Sequence, residues 1–186
     1  GNHELTLSDD QRYAIDLYSR MDLAPVMNVL SIDHPARRFE VARMDDSKLK
    51  KAGWQPPVLL KLKAADEKTD LYGLMYLPSQ LDKTKKYPII SNVYPGPQDD
   101  QIPQSFTLDD NGNQSLAELG FIVINVAPRG SSPLRGHDFY NFGYGNLRDY
   151  PLADDRKVIK QLAHEYSFID LDRVGIYGHS GGAFQT

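Results

Sequence analysis

Gly178-His179-Ser180-Gly181-Gly182 stands near the end of the chain. It follows the run Arg173-Val174-Gly175-Ile176-Tyr177, which reads as a strand, and it precedes Ala183-Phe184-Gln185-Thr186, which can open a helix. Strand, G-x-S-x-G and helix together are the context of a nucleophile elbow. A serine at the tip of so tight a turn holds its hydroxyl clear of the sheet. Glycines flank it because a Cβ there would strike the neighbouring strand or helix. The Gly181 N–H, at the start of the incoming helix, is placed to stabilise an oxyanion. The bland alternative is a glycine-rich strand-to-helix turn without chemistry. The preceding strand, and the extra Gly182 that lets the helix pack close, favour the catalytic reading with Ser180 as nucleophile.

Upstream of the elbow, apolar strands alternate with helices. Pro151 can open a helix, with Leu152, Ile159, Leu162, Ala163 and Tyr166 on one face and Asp154, Lys157, Lys160 and Gln161 largely on the other. Phe121-Ile122-Val123-Ile124-Asn125-Val126 is a buried strand, and the helix before it, from Asn113 to Leu119, is closed by Gly120. Tyr87-Pro88-Ile89-Ile90-Ser91-Asn92-Val93-Tyr94 is a central strand stopped by the rigid turn Pro95-Gly96-Pro97-Gln98. Val58-Leu59-Leu60-Lys61-Leu62-Lys63 and Leu71-Tyr72-Gly73-Leu74-Met75-Tyr76-Leu77 form a leading hairpin. The expected fold class is α/β: the first half of an α/β-hydrolase sheet, parallel beyond its hairpin. The ligand site belongs at the strands' C-terminal ends, where Tyr94, Ala127 and Ser180 fall.

The first fifty or so residues read differently. Arg12 to Ser19, Val26 to Ile32 and Phe39 to Arg43 are strand candidates, with Ala24-Pro25 interrupting and Asp33-His34-Pro35 turning the chain. This is an antiparallel meander, such as the last strands of a β-propeller. A short helical turn from Asp46 to Gly53 leads to Trp54-Gln55-Pro56-Pro57, whose prolines end it. The expected domains are therefore 1–53 and 54–186.

The chain has 186 residues, a net charge of −4 and no cysteine. That length suits one domain plus a piece of another. Mild acidity without a basic stripe argues against nucleic-acid binding. The missing cysteine excludes disulfides and thiol chemistry. No apolar run is long enough to span a membrane, the N-terminus does not read as a signal peptide, and no metal-ligand spacing is present, so neither a metal nor a cofactor is expected.

Several blocks in order resemble the prolyl oligopeptidase family of serine peptidases, dipeptidyl-peptidase-IV-type branch. They are Gly73-Leu74-Met75-Tyr76-Leu77-Pro78, Lys86-Tyr87-Pro88-Ile89-Ile90, Val93-Tyr94-Pro95-Gly96-Pro97-Gln98, Arg129-Gly130-Ser131, and the run from Asp170 through the elbow to Gly182. The resemblance covers residue 54 to the end well. It implies a peptidase that releases dipeptides through an acyl-enzyme on Ser180, with the Tyr94 hydroxyl and the Gly181 N–H as oxyanion donors. It also implies a peptide substrate, a periplasmic or extracytoplasmic setting and a homodimeric parent. One departure is visible: Val126-Ala127-Pro128-Arg129-Gly130 has no Asp where the family commonly carries one. Arg129 reads as a scaffold residue of the site floor.

A serine hydroxyl needs a base. In α/β-hydrolases the acid and then the histidine follow the serine in the chain, and neither follows Ser180. His179 should point elsewhere, His164 sits on a charged helix face, and His137 is the plausible stand-in, although an upstream base breaks the chain order. The expectation is a fragment, inactive alone, of an active parent. A carboxylesterase or acyl-peptide hydrolase on the same half-sheet, and a non-catalytic interaction module that kept the fold, are the alternatives.

Overall fold

The computed structural model describes residues 1–96, 102–147 and 149–186. The Pro97-Gln98 half of the turn expected after the central strand lies outside them. The chain divides into two compact units, residues 1–56 with 103–108, and residues 57–102 with 109–186.

The first unit is a four-stranded antiparallel meander: β1 (Asn2–Leu7), β2 (Tyr13–Arg20), β3 (Leu23–Ser31) and β4 (Arg38–Arg43), paired in that order. β1 has apolar residues only at Leu5 and Leu7, on one face, and is exposed throughout. It is held to β2 by His3, whose Nδ1 lies 2.8 Å from Asp16 Oδ1 and whose ring stacks on Tyr18 at 4.3 Å. The interruption expected at Ala24-Pro25 does not occur. Pro25 lies inside β3, at a register shift that leaves it out of the pairing between Tyr18–Val26 and Arg20–Leu23. A bulge is where a residue without an N–H can sit in a sheet. Helix α1 (Ser47–Lys51) follows, its first N–H bound by Asp45 Oδ1 at 2.9 Å rather than by the residue next to it. Residues 103–108 join this unit through Phe106, whose ring lies 5.5 Å from that of Trp54 and whose N–H donates to Ser19 Oγ at 3.2 Å.

The second unit is a five-stranded sheet. β5 (Val58–Lys63) and β6 (Asp70–Tyr76) form the hairpin; β7 (Tyr87–Val93), β8 (Ile122–Ala127) and β9 (Ile169–Gly178) are mutually parallel, in the order β5-β6-β8-β7-β9. β6 meets β8 antiparallel, so the switch to parallel pairing falls right after the hairpin, as the strand–helix alternation implies. Helices α2 (Asn113–Glu118), α3 (His137–Tyr140), α4 (Leu152–Glu165) and α5 (Gly181–Gln185) complete the unit. The core is Leu71, Met75, Ile89, Ile122 and Ile124 of the sheet against Val158 and Leu162 of α4, all fully buried. At β9 the sheet still shows Leu171, Val174 and Ile176 to solvent.

Asp154 departs from the reading of α4. The helical pattern puts it on the polar face, yet it is 0% exposed. It lies on the stripe of Val158 and Leu162, four and eight residues on, and turns that stripe toward Arg129. Oδ1 accepts from the Ala65 N–H at 2.9 Å and from an Arg129 terminal nitrogen at 2.7 Å. Oδ2 accepts from Arg129 Nε at 2.9 Å and its N–H at 3.3 Å. Arg129 also pairs with Asp66 at 3.0 Å and lies over the Phe142 ring at 3.9 Å. One carboxylate thus ties together the β5–β6 turn, the segment after β8 and α4. Asp154→Asn presents an amide N–H to donors and leaves the largely buried Arg129 charge with only the more exposed Asp66 as counterion. Thermal or urea unfolding is expected to show a loss of about 3 kcal/mol.

Candidate active site

Parallel register decides what meets at the sheet's C-terminal edge. Val93, the last residue of β7, is the pairing partner of Gly178, the last of β9. Tyr94 and the His179-Ser180 turn therefore leave the sheet side by side. At Ser180 the backbone reverses with φ 53° and ψ −114°, outside the regions an L-residue ordinarily occupies. Such strain costs on the order of 1–3 kcal/mol and persists only where packing enforces it. Here the packing is backbone on backbone. A Cβ on Gly178 would lie 2.5 Å from the Val93 oxygen, and one on Gly182 would lie 2.0 Å from the same atom. The turn is closed by the Gly182 N–H donating to His179 O at 2.9 Å and the Ala183 N–H to Ser180 O at 3.0 Å. Ser180 itself is exposed.

The Gly181 N–H has no partner among the described residues, and a Cβ on Gly181 would come within 2.8 Å of Gly96 O. Tyr94 is half-buried and lines an open cleft of about 500 Å³ with Asn92, Asn111, Tyr177, Gly178 and His179. The three residues expected to carry the chemistry, Ser180, Gly181 and Tyr94, come from adjacent strand ends of one sheet. His179 is exposed and lines the same cleft. His137 is exposed, with Asp138 at 3.4 Å, and lines no part of that cleft. His164 is exposed on α4.

The cleft's wall rests on a polar network that periodicity could not reveal. Fully buried Asn113 accepts through Oδ1 from Asn92 Nδ2 at 2.8 Å and from the Tyr177 hydroxyl at 2.7 Å. Its Nδ2 donates to Asp110 Oδ2 at 3.3 Å, which also accepts from the Tyr76 hydroxyl at 3.0 Å. Burial pushes the Asp110 carboxyl up, against the hydrogen bonds of Tyr76 and Asn113, and pushes the Tyr177 phenol up as well. Both phenols therefore stay protonated donors near neutral pH. The network fixes the ends of β7 and β9, from which Tyr94 and Ser180 project.

Beneath the elbow, Asp155 of α4 accepts from Ser91 Oγ at 2.5 Å, and burial outweighs that bond to push its carboxyl up. The folded state then holds the proton more tightly than the unfolded chain. Stability falls as pH rises through the interval between the unfolded and folded pKa values, and the cost is complete above the folded one. Asp155→Asn, which can still accept from Ser91, is expected to raise the melting temperature at neutral pH. The gain should shrink as the pH is lowered toward about 4. A gain that grew on acidification would contradict the assignment.

Among the described residues, no group of three His, Asp or Glu side chains could hold a metal ion. No described helix is long and apolar enough to cross a membrane.

Residues 107–186 match the model of the prolyl oligopeptidase family, Peptidase_S9. The chain belongs to that family. Within it the similarity runs to the dipeptidyl-peptidase-IV-type branch. Dipeptidyl peptidase 8 of Mus musculus is 34% identical over 132 residues, which are 70% of this chain and 15% of that protein. Prolyl endopeptidase FAP of Mus musculus is 31% identical over 129 residues, 69% of this chain and 16% of that one. Among solved structures, a Bacteroides ovatus ATCC 8483 protein assigned as a dipeptidyl aminopeptidase IV superposes with a TM-score of 0.82 at 29% identity, covering 100% of this chain and 26% of that one. The chain thus spans only 15% to 26% of the length of these three proteins. The family likeness accounts for the α/β sheet and for the antiparallel strands that precede it.

Proposed function

We propose that this chain is the nucleophile-bearing part of a longer serine peptidase that releases dipeptides from the free N-termini of peptides. Ser180 Oγ attacks the scissile carbonyl carbon, and the carbonyl oxygen takes up negative charge as the tetrahedral adduct forms. The Tyr94 hydroxyl and the Gly181 N–H share that charge. The adduct collapses to an acyl-enzyme with loss of the amine, and water then hydrolyses the ester. The observation that carries this reading is the strained turn at Ser180, packed on Val93 through two glycines, with Tyr94 beside it and, after it, an N–H that has no partner among the described residues.

Among the described residues nothing hydrogen-bonds Ser180 Oγ, so in this reading the base and its acid are supplied by a longer chain. The apolar residues that β9 exposes, Leu171, Val174 and Ile176, support a sheet that continues there. In the same reading residues 1–53 are the closing strands of a propeller-type domain and residues 54–186 open the catalytic domain. A homodimer of the full-length protein goes with it and is checked by sedimentation.

The deciding assay uses a dipeptidyl nitroanilide. The full-length protein is expected to turn it over, and the 186-residue chain to show no rate above buffer. Turnover by the isolated chain would put the base upstream, at a residue such as His137. A full-length protein that takes acyl esters but not dipeptidyl amides would move the assignment to an esterase. Correct folding without reaction toward a fluorophosphonate would make it a non-catalytic module.

A further inference from the structure

Between β8 and α4, Tyr150 has no role in the reading so far, yet its side chain reaches back to the backbone beside Tyr94. The Tyr150 hydroxyl donates to the Pro95 carbonyl oxygen. Its ring is seated on two glycines: a Cβ on Gly143 would lie 2.5 Å from Tyr150 Cε1, and one on Gly130 would lie 2.8 Å from Cε2. The ring meets Phe142 edge-on, with centroids 6.2 Å apart at 70°. Phe142 is covered in turn by the Arg129 guanidinium, which Asp154 holds. Tyr150 is thus the outer end of a relay anchored in the buried ion pair.

The Pro95-Gly96 segment it grips is otherwise tied only weakly among the described residues. Pro95 has no N–H to donate. Gly96, with φ 102°, points its carbonyl oxygen at Gly181. On the far side, Val93 O is pressed against Gly182. Tyr94 therefore sits between a fixed strand end and a carbonyl whose direction Tyr150 sets. Burial pushes the Tyr150 phenol up to about 12, so the donor persists at any pH where the serine is reactive.

We propose that Tyr150 is a positioning residue for the oxyanion site, acting by holding the Pro95 carbonyl so that the Tyr94 hydroxyl meets the developing charge. The proposal rests on the reading of Tyr94 as an oxyanion donor. Tyr150 touches neither substrate nor Ser180 in this role, so its effect belongs in kcat and not in KM.

The experiment is a double-mutant cycle in the full-length peptidase, with kcat and KM for a dipeptidyl nitroanilide and melting temperature for each variant. Tyr150→Phe keeps the ring and deletes only the hydroxyl. It is expected to lower kcat about tenfold with KM unchanged, and to have no further effect in a Tyr94→Phe background. Gly143→Ala pushes a methyl into the same ring and is expected to lower kcat in the same Tyr94-dependent way, which keeps the test alive should Tyr150→Phe not fold. Equal losses in both backgrounds, tracking the melting temperature, would show a merely structural role and overturn the proposal. So would an unchanged kcat while Tyr94→Phe alone is impaired. If Tyr94→Phe keeps full activity while Ser180→Ala has none, the reading of Tyr94 fails, and the role of Tyr150 falls with it.

Discussion

Ser180→Ala in the full-length protein is expected to lower kcat/KM for a dipeptidyl nitroanilide by about 10⁵-fold or more and to abolish labelling by a fluorophosphonate. The substitution removes the one atom that would bond to the acyl group. Everything else at the turn stays. Alanine has the same Cβ, so the strain at φ 53° is neither added nor relieved. Ser180 Oγ has no hydrogen bond among the described residues, so the only group that loses a partner is the base the longer chain would supply, at an exposed position. Stability should change by less than about 0.5 kcal/mol. That separation of activity from stability makes the result informative. A variant that still takes the label would place the nucleophile elsewhere, and one that lost activity together with its fold would say nothing special about Ser180.

The strained turn at Ser180 is legible in the sequence because its requirements are local. A tight strand-to-helix reversal needs glycines at fixed offsets, and the five residues from Gly178 to Gly182 state them in order. The α/β alternation is legible for a similar reason: buried parallel strands such as β8 are continuous apolar runs, and α2 is punctuated by Gly120. What stays hidden depends on partners distant in the chain. Asp154 reads as a solvated helix residue until Arg129 arrives from beyond β8, although its spacing from Val158 and Leu162 does mark it as part of the buried stripe. Tyr150 is an ordinary loop aromatic until Pro95 lies beside it. β1 has only Leu5 and Leu7 to announce it, both exposed, and is held to β2 by His3 and the backbone ladder. Pro25 reads as a break because a proline usually is one, whereas the bulge in β3 removes the need for its N–H. Residues 103–108 carry no strand or helix pattern to place them, and they group with the first unit through the contact of Phe106 with Trp54.

Gly182→Ala should do what Ser180→Ala does not: damage fold and chemistry together. The added methyl would fall 2.0 Å from Val93 O and 3.1 Å from Val93 C, and neither atom belongs to a side chain that can rotate away. Relief requires either that the end of β7 retreat or that α5 swing off the sheet. The first breaks the Val93–Gly178 pairing, and the second undoes the turn that holds Ser180 out. Both moves also shift Tyr94 relative to Gly181, so the two groups proposed as oxyanion donors would no longer serve one site. A stability loss above about 4 kcal/mol is expected, and any folded fraction should be slower by about 10³-fold. Gly175→Ala, on the same strand as Gly178, is the control. Its methyl would approach only Ile90 Cγ1, at 3.3 Å, and that side chain can give way, so a cost below about 1.5 kcal/mol is expected. Urea unfolding of the two variants side by side decides the matter. If Gly182→Ala proves as mild as Gly175→Ala, backbone contact with β7 is not what enforces the strained serine, and Ser180 owes its exposure to some other constraint.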